Sequence, residues 1–278
     1  MPAMITDFSF TFLGTGTSAG VPVMACSCEV CTSDDPRDKR LRPSACIQFV
    51  DATGQDRVVL IDTSPDLRQQ SLRENLHRCD AILFTHNHVD HTFGLDEVRR
   101  FNAVMKQPID IYAERHTLDH LHRVFQHVFE PHKNINDSFV ATLIPNEIRV
   151  NEPIDLFGLR LLPIRLLHGR LPIIGFHVSV QNTSGSHPVL PLAYCTDISS
   201  VPPDTWPQLE ELRTLVLDML RFRHHPTHLT VDQAVEIAEQ VGAAQTWFIH
   251  MTHCIGHAEV DSTLPTTMNL AYDGLRIE

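Results

Sequence analysis

The chain has 278 residues, of which 42% are hydrophobic and 20% are charged, and this composition excludes a disordered, fibrous or coiled-coil protein. Its formal net charge of −12 argues against long-range capture of nucleic acid, which depends on neutralising phosphates. No run approaches the roughly 18 apolar residues of a membrane span, and residues 1–12 lack a basic segment followed by an apolar one. We therefore expect a cytoplasmic protein without a membrane partner.

Apolar and β-rich runs predict two successive groups of strands, each followed by helices. Strands are expected near residues 8–13, 45–50, 57–61, 80–84, 109–112, 159–194, 214–217, 246–249 and 271–277. Helices are expected up to about Leu76 and over residues 95–105, 117–129 and 231–241, the last with Thr230 and Gln233 as a capping box. Residues 130–150 are expected to form a surface excursion, and turns are expected at residues 167–172 and 181–188. This order indicates an α/β sandwich of two sheets with helices outside, in a single domain of residues 1–278.

Histidine is unusually abundant, with 18 residues, and the strongest cluster follows the strand expected at residues 80–84. His86, His88, Asp90 and His91 lie within six positions. Side chains alternate along an extended backbone, so His86 and His88 point the same way and one metal can take both. Asp90 and His91 lie where the chain turns toward a helix and can face a second metal. A purely structural role for three histidines in one turn is the weaker alternative.

Three other β-rich runs also end in a polar residue that can bind a metal. The residues are His168, Asp197 and His250. Each alone would be an ordinary loop residue, but their shared position at strand ends predicts a common rim.

The seven cysteines include three within six residues, Cys26, Cys28 and Cys31. With no sign of an oxidising compartment, this spacing indicates metal binding before disulfides. Three thiolates need one more ligand for tetrahedral zinc. The alternative is a set of free thiols in a flexible loop. The isolated Cys46, Cys79 and Cys195 lie in or near apolar stretches and are expected in the core.

On the basis of these residues, the sequence resembles the metallo-β-lactamase superfamily, whose signature is H-x-H-x-D-H. Within it, the chain is most similar to the PhnP-like phosphodiesterase branch, which is related to ribonuclease Z. The features of this branch are the glycine-rich segment 14–18, the cysteine run 26–31, Pro226-Thr227-His228 and Tyr272-Asp273-Gly274. The resemblance implies an αββα sandwich of two mixed sheets flanked by helices.

The resemblance also implies two catalytic divalent metals, zinc or manganese, and one structural zinc. One catalytic metal would take His86, His88 and His168, and the other Asp90, His91 and His250. Asp197 would bridge them, with a hydroxide between the metals. His253 would complete the structural zinc site of Cys26, Cys28 and Cys31.

Two residues, His228 and Asp90, are predicted to take part in catalysis. His228 lies two positions before the helix cap Thr230, where a helix N-terminus favours an anion. In the resembling branch, a histidine here protonates the leaving oxygen or holds the phosphate. Asp62 is expected to orient ligand histidines. Arg221 and Arg223 are candidates for a phosphate clamp or are plain surface charges.

The resulting hypothesis is a metal-dependent hydrolase, a dinuclear phosphodiesterase acting on a small or cyclic phosphate ester through a metal-bridging hydroxide. The alternatives are a thioester or lactone hydrolase of the same fold, or a non-catalytic binding protein of the PqqB type, which the complete ligand set disfavours. A ribonuclease acting on tRNA ends is disfavoured by the net charge. The expected binding partner is a small-molecule phosphate ester. The sequence does not decide whether the chain forms a homodimer.

Overall fold

The structure of the protein, a computed structural model, describes residues 5–136, 138–180 and 187–278. Its strands are interspersed with helices along the chain. They are β1 (Thr6–Gly14), β2 (Ser44–Val50), β3 (Asp56–Ile61), β4 (Ala81–Leu83), β5 (Ile109–Ala113), β6 (Leu143–Glu147), β7 (Ile154–Leu156), β8 (Leu159–His168), β9 (Leu171–Val180), β10 (Leu192–Cys195), β11 (Thr214–Asp218), β12 (Gln245–Ile249), β13 (Met268–Leu270) and β14 (Arg276–Ile277).

The described strands form two mixed sheets of seven strands each. The first sheet has the order β14-β1-β2-β3-β4-β5-β6 and the second β13-β12-β11-β10-β9-β8-β7. In the first, β1 to β3 are antiparallel and β3 to β6 parallel. In the second, β7 to β10 are antiparallel and β10 to β13 parallel. The predicted two-sheet sandwich is confirmed.

The helices cover the outer faces of the sheets. They are α1 (Glu29–Thr32), α2 (Leu67–Arg73), α3 (Val89–Thr92), α4 (Arg99–Met105), α5 (Arg115–Val124), α6 (Gln126–Phe129), α7 (Val231–Val241) and α8 (His257–Asp261). Short 3-10 helices occur at Pro36–Asp38, Leu95–Val98, Pro131–Lys133 and Pro203–Leu209. The capping box predicted for α7 is present, with the Thr230 hydroxyl accepting from Gln233 N–H, and Gly242 ends the helix at φ 65°.

Three apolar layers hold the sandwich together. The middle layer lies between the sheets and includes Phe10, Phe12 and Phe176, all essentially without solvent exposure. One outer layer packs the first sheet against α2, α4 and α5, and the other packs the second sheet against α7 and α8. Burying this much apolar surface is the main favourable term in folding. The isolated cysteines Cys46, Cys79 and Cys195 are fully buried, as predicted.

Three details differ from the sequence-based expectations. The helix predicted at 117–129 breaks at Phe125, whose ψ of 39° separates α5 from α6, and Val124 on its expected apolar face is exposed. The expected surface excursion at 130–150 contains β6, an edge strand with mostly exposed side chains that local hydrophobicity does not reveal. The strand expected at 271–277 is confined to β14 at its end, and β13 precedes the expected range in the other sheet. Most of the turn expected at 181–188 lies outside the described residues.

Candidate active site

The polar residues predicted at strand ends meet at one edge of the sandwich. His86, Asp90 and His91 follow β4 in the first sheet, whereas His168 ends β8 in the second. Asp197 and His250 follow β10 and β12 of the second sheet. The centre therefore draws its side chains from both sheets, and each sheet contributes residues from the carboxyl ends of its strands. This arrangement brings together all the residues predicted for the catalytic metals.

The first group of candidate ligands comprises Asp90, His91, Asp197 and His250. Their ligand atoms all lie within 4.8 Å of one another. Nε2 of His91 and Nε2 of His250 each lie 3.2 Å from Oδ1 of Asp197. The same two nitrogens lie 3.6 and 3.8 Å from Oδ2 of Asp90. The four atoms thus converge on one point, as the ligands of a single divalent ion do.

The second group shares Asp197 with the first. Ligand atoms of His86, His88 and Asp197 also lie within 4.8 Å of one another. The ring of His168 completes this side, with its centroid 5.0 Å from that of His88 and 5.7 Å from that of His86. Asp197 belongs to both groups, which fits the bridging position that the resemblance implied for it.

The donor atoms of this cluster fit divalent metal ions. Nε2 of His86, His91 and His250 are buried without a hydrogen bond to any described residue, although buried polar atoms normally have partners. Imidazole nitrogen and carboxylate oxygen are ligands of zinc and also suit manganese. An inward set of unpartnered nitrogens around a shared carboxylate is best explained by cations that complete the site.

Burial lowers the pKa of some histidines in the cluster, whereas neighbouring carboxylates raise the pKa of another. Burial lowers the pKa of His86 well below its usual value and that of His168 to about 4, so both present neutral imidazole, the form that binds metals. Burial also acts on His91, but the charges of Asp197, Asp62 and Asp90 outweigh it and raise the pKa of His91. The acidic side chains therefore attract positive charge to this part of the site.

Asp62 orients one of these imidazoles from behind. Its buried carboxylate accepts a hydrogen bond from Nδ1 of His91 at 2.7 Å and two from Thr85, at 2.9 Å from N–H and 2.7 Å from the hydroxyl. With Nδ1 held in this way, Nε2 of His91 points into the cluster. Carboxylate–histidine pairs of this kind fix the tautomer of metal ligands.

Three residues of the site have a strained backbone conformation. Asp62, Asp197 and His250 have φ values of 61°, 56° and 65°, in a left-handed region that residues other than glycine seldom occupy. Such conformations cost about 1–3 kcal/mol each and concentrate at functional sites. Here they turn the side chain at the end of a strand toward the shared rim.

A residue that the sequence analysis missed, Asp218, lies beneath His228. It is fully buried at the end of β11. Its Oδ1 accepts from Nδ1 of His228 at 3.0 Å and lies 3.4 Å from Nδ1 of His250, and its Oδ2 accepts from Leu229 N–H at 3.0 Å. Its position at a strand end, like that of Asp197 and His250, is the sequence pattern by which it could have been found.

His228 lies against the cluster of candidate metal ligands. Its ring stacks on that of His250 at 4.7 Å and meets that of His168 edge-on at 4.6 Å. Its donor atom also falls within 4.8 Å of those of His168 and Asp197. Since Asp218 holds Nδ1, only Nε2 of His228 is available to a substrate.

The cysteine cluster forms a separate site on the same side of the molecule. Nδ1 of His253 lies 3.2, 3.4 and 3.5 Å from the Sγ atoms of Cys26, Cys28 and Cys31. Three sulfurs and one imidazole nitrogen make the donor set of a tetrahedral zinc site, with the fourth ligand that the resemblance implied. Cys254 next to it is exposed and outside the group.

The two sites are joined by the short segment from His250 to His253. Met251 pairs with the glycine-rich segment, donating to Thr15 O at 3.0 Å and accepting from Thr17 N–H at 3.2 Å. The buried guanidinium of Arg40 donates to Thr252 O at 3.0 Å and to Ile255 O at 2.7 Å. The backbone between the two sites is therefore fixed from both sides.

Comparison with known proteins identifies the family. A model described as a beta-lactamase superfamily domain matches residues 57–251, a range that holds every residue of the strand-end cluster. The chain belongs to this superfamily. A solved structure described as a new diphosphatase from the PhnP family is 38% identical, covers 99% of this chain and 98% of its own, and has a TM-score of 0.86. The resemblance inferred from the sequence is thereby confirmed.

Other proteins similar to this chain carry different names. An octanoyltransferase of Porphyromonas gingivalis is 34% identical over 95% of this chain but only 50% of its own length. A coenzyme PQQ synthesis protein B of Methylobacterium nodulans is 28% identical over 58% of this chain and 52% of its own. The chain thus spans about half the length of these curated relatives. The human short-form tRNase Z, at 20% identity and a TM-score of 0.66, shares the fold.

In the described part of the chain, no helix is both long enough and apolar enough to cross a bilayer.

Proposed function

We propose that this metallo-β-lactamase-fold hydrolase cleaves a phosphodiester or diphosphate ester of a small molecule with the help of two divalent metals. The observation that carries the proposal is the Asp218–His228 pair, which holds an oriented imidazole against the ring of the candidate ligand His250. A group that donates a proton to a leaving oxygen needs this position. The similarity to a PhnP-family diphosphatase supports the same class of substrate.

Divalent ions at this centre would lower the pKa of water and neutralise charge on the phosphate oxygens. His86, His88, His168 and Asp197 are proposed to hold one ion, and Asp90, His91, His250 and Asp197 the other. Asp62 fixes the direction of His91. His228 donates a proton from Nε2 to the leaving oxygen while Asp218 stabilises the positive imidazolium before transfer. The cysteine cluster with His253 is proposed to hold a structural zinc.

His228→Ala separates this role from metal binding. The variant should keep the metal content of the parent and lose turnover of a phosphodiester by roughly 10²-fold or more, as expected for general acid catalysis. The loss should be smaller for a p-nitrophenolate leaving group, which needs little protonation, than for an alkoxide-like one. Kinetics on a pair of such substrates, with metal analysis of the same samples, measures both. Loss of a metal equivalent would instead make His228 a ligand.

A second candidate is hydrolysis of an acyl thioester, which the similarity to a protein named octanoyltransferase favours. Half of that relative lies outside the matched region, so its named activity can belong to the other half. Octanoyl thioester and bis(p-nitrophenyl) phosphate should be offered to the same metal-loaded sample. Faster cleavage of the thioester would displace the phosphodiesterase proposal.

A further inference from the structure

The proposed function makes no use of Asp273, the acidic residue of the Tyr272-Asp273-Gly274 motif. Asp273 lies between β13 and β14, away from the strand ends that carry the candidate ligands. Its side chain is only 7% exposed, and a buried carboxylate is tolerated only where it has hydrogen-bonding partners. Those partners therefore indicate what Asp273 does.

Asp273 binds the glycine-rich segment and the chain that packs on it. Its Oδ1 accepts from the N–H of Thr15 at 2.9 Å and from the hydroxyl of the same residue at 2.8 Å. Its Oδ2 accepts from Leu41 N–H at 2.8 Å, and a guanidinium nitrogen of Arg73 lies 3.3 Å from the same oxygen. Segments that are far apart in the sequence thus meet on one buried carboxylate.

Thr15 contacts the backbone between the two candidate metal sites. Its carbonyl oxygen accepts from Met251 N–H at 3.0 Å, and Met251 O accepts from Thr17 N–H at 3.2 Å. Met251 directly follows His250, a candidate ligand of the catalytic ions, and precedes His253 of the cysteine cluster by two positions. The position of Thr15 therefore fixes the backbone that carries both imidazoles.

Leu41 provides a second connection to the same segment. It follows Arg40, whose buried guanidinium donates to Thr252 O and Ile255 O. The carbonyl oxygen of Leu41 accepts from Gly16 N–H at 2.9 Å. Gly16 also packs so closely on this chain that a Cβ there would lie 2.9 Å from Arg40 O. With so little room between the two segments, a displacement of Leu41 would move both.

We infer that Asp273 is a positioning residue for both metal sites. By holding Thr15 and Leu41, it keeps the segment from His250 to His253 in the conformation that directs both imidazoles to their ions. Asp273 is not a member of any ligand group found among the described residues, so it acts through the backbone. Loss of a group that orients a metal ligand typically weakens metal binding by about 10- to 100-fold. The inference rests on the metal sites of the proposed function and not on the identity of the substrate.

Asp273→Asn tests this role, because an amide has one oxygen in place of two and leaves Thr15 or Leu41 without its acceptor. Asp51→Asn is the matched control. Oδ1 of Asp51 likewise accepts from the N–H and the hydroxyl of one threonine, Thr53, and its Oδ2 accepts from an arginine. Asp51 follows β2 in the hairpin that leads to β3, at the end of these strands remote from the candidate site.

The assay is the removal of cobalt from the fully loaded protein by a competing chelator. Absorption separates the two sites, because only cobalt bound to the cysteines has thiolate charge-transfer bands. Asp273→Asn should lower the affinity for cobalt by about 10-fold at both sites. It should also change the spectrum of the loaded protein, which a purely structural contact would leave as it is. Asp51→Asn should lower Tm to a similar extent and keep the affinities and the spectrum of the parent.

The possible results separate the inference from the proposed function. Parent affinities and spectrum in Asp273→Asn, or an equal loss of affinity in Asp51→Asn, would overturn the inference. If Asp273→Asn does not fold, Thr15→Val removes a single donor to Asp273 and should weaken both sites, whereas Thr15→Ser keeps the hydroxyl and should retain the parent values. Equal affinities in these two variants would also overturn the inference. Parent protein that binds cobalt at the cysteines alone would overturn the proposed function instead.

Discussion

Replacing Asp218 by Asn tests whether this buried carboxylate directs His228. Each of its oxygens serves a different donor, Nδ1 of His228 and Leu229 N–H, and an amide has only one oxygen. If that oxygen still accepts from Leu229 N–H, the NH₂ group faces Nδ1 of His228. Nδ1 must then accept, so the single ring proton of neutral His228 moves to Nε2, and the imidazolium is disfavoured. We expect turnover of a phosphodiester with an alkoxide-like leaving group to fall roughly 10²- to 10⁴-fold.

The same substitution should also reduce stability, because buried hydrogen bonds to a charged carboxylate are replaced by weaker ones to a neutral amide, at a cost of about 1–3 kcal/mol. In a protein of this size, that corresponds to a fall in Tm of about 2–4 °C for each kcal/mol. The control is Asp80→Asn, since Asp80 is another buried aspartate that accepts from a backbone N–H, at 2.9 Å from Val58, and from the arginines Arg57 and Arg78. It should lower Tm without a comparable effect on turnover.

The assay is kcat at saturating metal, with metal content and thermal unfolding measured on the same preparations. Saturating metal is needed because Asp218 also lies 3.4 Å from His250, and loss of such a contact weakens metal binding by about 10- to 100-fold. The reasoning would be refuted if Asp218→Asn kept turnover within about 3-fold of the parent at equal metal content. It would also be refuted if Asp80→Asn lost as much turnover.

The remaining predictions concern the metals and the packing. Protein purified without chelator should contain about three metal equivalents per chain, and full activity with a single equivalent would exclude the dinuclear proposal. Cys28→Ser should lower Tm and remove one zinc while leaving the catalytic metals largely in place, because structural zinc contributes folding energy; lost turnover with Tm and zinc content unchanged would place the cysteines in the chemistry. Gly94→Ala should cost about 3 kcal/mol in denaturant unfolding, since the new Cβ would lie 2.0 Å from Ser64 O. Gly256→Ala, whose nearest contact would be 3.7 Å, should be nearly neutral by comparison, and equal effects would contradict the steric argument.

The sequence predicted the features that depend on local pattern. Strands ending in His168, Asp197 and His250 were recognised because β-rich runs stop at a polar residue, and the α7 cap was recognised from Thr230 and Gln233. These patterns depend on residues that are adjacent in the sequence. In the structure, the strand ends lie together as expected.

The missed features depend on contacts between distant residues. The edge strand β6 has mostly exposed side chains, so no hydrophobic alternation marks it, and its pairing with β5 defines it. Asp218 follows three apolar residues at a strand end, which marks it as a candidate, but only its contacts with His228 and His250 show its role. The two roles of Arg40 at Thr252 and Ile255 likewise depend on a sequence separation of more than 200 residues.

The division of the candidate ligands between the two sheets has a consequence for assembly of the molecule. His86, His88, Asp90 and His91 follow a strand of the first sheet, and the other three candidate ligands follow strands of the second. Neither sheet alone can bind an ion in the way proposed, so coordination acts as a crosslink that forms only when the halves have docked. If the chain were cut between β6 and β7, the second fragment would carry β14 back to pair with β1. The absorption of cobalt at the reunited centre would then report the moment at which the fragments joined.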